Sequence, residues 1–65
     1  MLEKEVDYYH RNWLKFRKLY PDKYLVFIGK KVIGVYDSHV DAYNTTVQDN
    51  EIGTFLIRHI LPRST

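Results

Sequence analysis

Residues 23–38, KYLVFIGKKVIGVYDS, constrain this chain more than any other stretch. Two short runs, 24–28 and 32–36, are built from Val, Ile, Leu, Phe and Tyr around a single glycine, and Gly29-Lys30-Lys31 separates them. Such side chains suit a pleated, packed surface, and a short glycine-containing break between two such runs spells a β-hairpin. Alternation sets Tyr24, Val26 and Ile28 on one face of the first strand, and Leu25 and Phe27 on the other. In the second strand Val32, Gly34 and Tyr36 oppose Ile33 and Val35. Both faces of both strands are apolar, so the hairpin needs cover on two sides. Gly34, bare in mid-strand, predicts a bulge or the close approach of a bulky neighbour, with an aromatic of the preceding segment expected there.

That demand falls on a small chain. Sixty-five residues make one domain, and a chain of this size buries only about 60% of the surface its unfolded form exposes. There is no cysteine, which excludes a disulfide framework, a thiolate zinc site and a cysteine nucleophile. With 15% aromatic residues the rings must carry the core, and 45% hydrophobic content argues against disorder. The opening residues, with Glu3, Lys4, Glu5 and Asp7, have neither signal-peptide nor transit-peptide character. No apolar run approaches the roughly 20 residues of a membrane span. A cytoplasmic location without a membrane partner is expected, and the Asn44-Thr45-Thr46 sequon would then stay unmodified.

Ahead of the hairpin, Leu2, Val6, Tyr9, Trp13, Phe16 and Tyr20 recur at steps of four and three, the stripe of an amphipathic helix over 2–19. Acidic Glu3, Glu5 and Asp7 precede basic Arg11, Lys15, Arg17 and Lys18, an order that complements the helix dipole. Asp7 and Arg11 form an i,i+4 pair, and Pro21 ends the helix. The stripe also fits a coiled-coil seam. However, it spans fewer than three heptads, and its large rings suit a sheet better than a two-helix seam. At about 1.5 Å per residue the helix outreaches strands of five or six residues, so its first two turns are expected to overhang and meet a partner.

After a turn at Pro21-Asp22-Lys23 and the hairpin, Ser38 reads as the N-cap of a second helix over 39–49, with Asp41 completing a capping box. Val40, Tyr43 and Val47 form its apolar face, helped by Ala42, while Thr45-Thr46-Val47 weakens it. Asn50 and Gly53 mark the exit, and residues 54–60 read as a third strand with Phe55, Ile57 and His59 on one face. Pro62 stops that strand, leaving 62–65 as a frayed tail. The whole is an α+β domain of order αββαβ, a helix on 1–20 joined to a ββαβ unit on 21–61. The first strand is the most continuously apolar and belongs in the centre, which gives a three-stranded antiparallel sheet of order 2-1-3. The expected core is Trp13, Phe16, Tyr24, Val26, Phe27, Ile33, Val35, Val40, Tyr43, Phe55 and Ile57.

Little in the sequence carries chemistry. Asp37-Ser38-His39 holds the letters of a hydrolase triad, but consecutive residues cannot converge their side chains, and a helix cap accounts for them. His39 also stands where an aspartic-protease loop needs glycine. His10, His39 and His59 fall on three elements without metal-ligand spacing, and the glycines sit singly rather than in a phosphate-cradling loop. The reading is therefore no enzyme, no catalytic residue, no metal and no cofactor. Charge is segregated, however. Arg11, Lys15, Arg17, Lys18, Lys23, Lys30 and Lys31 face the single acid Asp22 across residues 11–31, although the net charge is only +2. Interleaved with Trp13, Phe16, Tyr20 and Tyr24, they could form a nucleic-acid footprint. Against this, those rings belong to the apolar stripe, where burial is expected.

The segments YPDKYLV, Gly29, VIGVYDS, Ala42-Tyr43 and GTFLI together resemble a family of short bacterial proteins of unknown function. The family pattern is a YPxKYVVI-x-G-x-x-VIGVYDS hairpin, an EAY helix and a GTFLI strand. The resemblance spans residues 2–61, and Asp41 replaces the usual Glu. It implies the fold and a bacterial source and transfers no catalytic residue. Similar proteins occur near genes for retropepsin-like proteases, which implies an accessory or adaptor role.

The expectation is a non-enzymatic protein–protein interaction or adaptor module, a homodimer or the partner of another protein. Leu2, Val6, Tyr9, Trp13 and Leu14 are its expected interface, since the sheet cannot use all of them. Nucleic-acid binding through the basic segment is the alternative.

Overall fold

A computed structural model describes residues 2–61. The expected tail and Pro62 lie outside the described residues. The chain runs α1 (Glu3–Leu19), β1 (Lys23–Ile28), β2 (Lys31–Tyr36), α2 (His39–Thr46) and β3 (Leu56–Ile60). The sheet is antiparallel with order β2-β1-β3, as expected from the apolar continuity of β1. Leu25, Val26 and Phe27 of that central strand are fully buried.

Each sheet face has its own helix. Leu25, Phe27 and Ile60 pack with Phe16 of α1, joined by Tyr8, Tyr9 and Tyr20. On the opposite face Val26 packs with Ala42 and Phe55, flanked by Tyr24, Tyr36, Tyr43 and Ile57. The aromatic rings of α1 thus lie on a sheet rather than in a coiled-coil seam. Tyr8, Tyr9 and Phe16 each present their rings edge-on or tilted to Phe27, or to one another, at 5.4–6.1 Å.

The stripe of α1 is rotated from its expected position. Glu5 and Phe16 are its buried residues, with Tyr8, Tyr9, Asn12 and Tyr20 half-buried beside them. Trp13 and Val6 sit on the flank, and Trp13 is 38% exposed. The cause is a tie at the first turn: the Gly29 N–H donates to Glu5 Oε2 at 2.5 Å. The expected overhang is therefore a docked turn, seated on the hairpin loop.

That loop has two residues, Gly29 and Lys30, because Ile28 pairs with Lys31. Gly29 has φ of 62°, as the first central residue of a type II′ hairpin turn requires. Further along, Val26 pairs with Gly34 but Phe27 with Val32, so Ile33 is an extra residue in a β-bulge. The bulge moves Val32 onto the α1 face, opposite to the simple alternation. It also leaves Ile33 exposed. Gly34 is closely covered, but by the ring of Tyr36 two residues on rather than by α1.

Four members of the expected core are exposed. Trp13 flanks α1. Ile33 is the bulge, Val35 lies on the edge strand β2 and is 42% exposed, and Val40 is 64% exposed on the outer side of α2. Ala42 and Thr46 turn inward instead of Val40, and Leu25, Ile60 and Ala42 join the core. Helix α2 begins at the Ser38 cap, whose Oγ accepts from the Asp41 N–H at 3.1 Å. It ends at Thr46, short of residue 49, where the β-branched run meets a turn closed by the Asp49 and Asn50 N–H groups on the Thr46 carbonyl. Thr54 is likewise held in a turn by Glu51, so β3 starts two residues late.

Candidate interaction surfaces

The expected interface residues divide between different parts of α1. Leu2 is half-buried at the N-cap and Val6 is exposed on the flank. Tyr9 and Trp13 stand together on the β3 side, with Arg17 one turn further on. Leu14, at 61% exposure, points away with Leu19, at 57%. These two leucines and the stems of Lys15 and Lys18 line a groove of about 390 Å³ whose walls all come from α1.

The basic segment is spread as well. Arg11 is bonded to Asp7 at 2.8 Å, and Lys23 to Asp37. The Asp37 hydrogen bond raises the Lys23 pKa above its ordinary 10.5. Lys30 and Lys31 sit at the hairpin loop, against the first turn of α1, whereas Arg17 and Lys18 are in its last. Twelve residues of helix, or roughly 18 Å, separate those ends. The seven cations are therefore spread along α1 and the hairpin rather than gathered at one end of the helix.

A tighter constellation lies between α1 and β3. The Arg17 guanidinium is 4.9 Å from the Trp13 ring centroid, and the Arg58 guanidinium is 4.8 Å from that of Tyr9. Both pairs face a cleft of about 360 Å³ floored by Ile60 and Leu61. No family model matches this chain, and neither a curated protein nor a solved structure matches it. Arg58 escaped the sequence reading because it lies outside the 11–31 cluster. Its signal was a cation between Leu56 and Ile60 on the strand face that meets α1.

At the margin of the cleft, His59 Nε2 lies 2.9 Å from Asp22 Oδ1, and the His59 ring stacks on Tyr24 with centroids 4.2 Å apart. His39 approaches Tyr24 as well, at 6.2 Å, while His10 stands beside Tyr9. Two of the three histidines thus flank one tyrosine. Among the described residues no group of three or more His, Asp or Glu side chains could hold a metal ion. None of their helices is long and apolar enough to cross a membrane.

Proposed function

We propose that this chain is a non-enzymatic protein–protein interaction module that self-associates as a homodimer, in the cytoplasm of a bacterial cell. The observation that supports it is the Leu14–Leu19 groove, an apolar surface walled by one helix alone. Leaving such area in water forgoes about 25 cal/mol per Å², a large loss for a domain of this size. A two-fold contact would place the same groove of a second copy against it, with Lys15 and Lys18 at the rim. The bacterial source and the adaptor role are part of the same proposal.

Sedimentation equilibrium at tens of micromolar tests the reading. The parent chain should sediment as a dimer, and Leu14→Glu with Leu19→Glu should sediment as a monomer with unchanged circular dichroism. A parent of monomer mass overturns it.

A second reading, nucleic-acid binding, is favoured by one observation. The indole of Trp13, expected in the core, is at the surface under an arginine. Arginine and aromatic side chains exposed together are the elements of a single-strand platform.

A further inference from the structure

We infer that the cleft between α1 and β3 is a single-strand nucleic-acid site, in which the exposed Trp13 ring stacks a base while Arg17 and Arg58 hold the phosphates on either side. The inference deepens the second reading above and rests on it, but it names a site that the basic segment alone does not define. Three features of the cleft carry it.

The first is the alternation of cation and ring. Arg17 lies over Trp13 and Arg58 over Tyr9, at nearly equal distances and from different elements. A guanidinium that sits over a ring still carries N–H donors, and these match phosphate oxygens in a bidentate fashion. The second is charge. The cleft carries both arginines and no carboxylate among its described lining residues. Asp22, at its margin, is engaged with His59. The third is ring access. Trp13 is 38% exposed although Arg17 lies over its ring, so part of the side chain stays open at the cleft. Phosphate and base contacts are thus offered within one cleft of about 360 Å³. An acidic peptide would use the arginines but leave the open part of the Trp13 ring without a stacking partner, so the chemistry favours nucleotides.

Trp13 is the single tryptophan, so its fluorescence reports the site directly. The full chain is titrated with a ten-nucleotide oligothymidylate, an abasic strand of the same length, a thymidine mononucleotide, and an acidic peptide of equal charge. The oligothymidylate should quench Trp13, the abasic strand should bind with little quenching, and the mononucleotide should bind far more weakly. Trp13→Ala, followed with a labelled strand, should weaken binding about 5- to 150-fold, the stacking of one base expressed as a ratio. Arg58→Gln should lower the slope of log affinity against log salt by about 0.7, one phosphate contact on a single strand, and Arg58→Lys should restore the slope, with Trp13 quenched at saturation in both. Circular dichroism confirms that each variant is folded.

Equal quenching by the abasic strand or the peptide overturns the site. So does tight quenching by the mononucleotide alone, which would make the cleft a small-molecule pocket. Binding that is indifferent to both Trp13→Ala and Arg58→Gln removes the site but leaves nucleic-acid binding elsewhere on the chain. No binding at all removes both.

Discussion

Glu5 shows how one side chain can set the geometry of a helix. In the sequence it is one of three acids in the early turns, suited to the helix dipole. In the fold it is buried, and its carboxylate receives the N–H of Gly29 from the hairpin loop. A carboxylate that accepts a backbone N–H is favoured in its charged form, and this hydrogen bond holds the Glu5 pKa below its ordinary 4.5. A depressed carboxyl pKa stabilises the fold above the unfolded value, and that contribution is lost as pH falls through the folded value. Glu5→Gln should therefore lower the urea midpoint near neutral pH, and the gap to the parent should close as pH drops below about 4.5. A gap that stays constant down to acid pH would show that the carboxylate charge is not what ties α1 to the loop.

Helix α2 and strand β2 each turn on one residue. Helix α2 has only eight residues and includes two threonines, so its capped start matters. Ser38→Ala should cost about 1 kcal/mol by urea denaturation, and Ser38→Asp should largely restore the loss. Equal stability of all three chains would move the helix start elsewhere. In β2, a Cβ placed on Gly34 would lie 2.5–2.9 Å from three atoms of the Tyr36 side chain, so that ring must yield. Gly34→Ala should cost on the order of 1 kcal/mol in the parent. In a Tyr36→Ala background it should be neutral or stabilising, because alanine restricts the unfolded chain more than glycine does. The same cost in both backgrounds would refute the covering ring.

Across the whole molecule the two helices divide the sheet between them, and Phe27 stands at the centre of the larger cluster. It is fully buried and in ring contact with Tyr8, Tyr9 and Phe16. Phe27→Ala should cost on the order of 3–5 kcal/mol, much of what a domain of this size possesses. Trp13→Ala should cost well under half of that, since its ring is on the flank. Thermal melts of the two variants side by side check the placement of the stripe. Similar losses would return Trp13 to the core.

The sequence by itself determined the element order, the central place of β1, the Ser38 cap and the antiparallel 2-1-3 sheet. Each of these follows from local pattern: apolar runs, a turn glycine, a capping residue and the need to cover two faces. It did not determine which way α1 is rolled on the sheet. Leu2, Val6, Tyr9, Trp13 and Phe16 form a regular stripe, yet Tyr8 and Glu5 lie beside it and are equally able to face inward once Gly29 supplies a donor. That donor is 24 residues away in sequence, so only tertiary structure brings it to the helix. The bulge at Ile33 likewise depends on pairing with β1 and shifts Val32 across the sheet, where period-two alternation would not place it. The candidate cleft follows from the same roll of α1. It exposes Trp13, sets Tyr9 under Arg58, and joins an arginine at residue 17 to one at residue 58 that no local spacing connects.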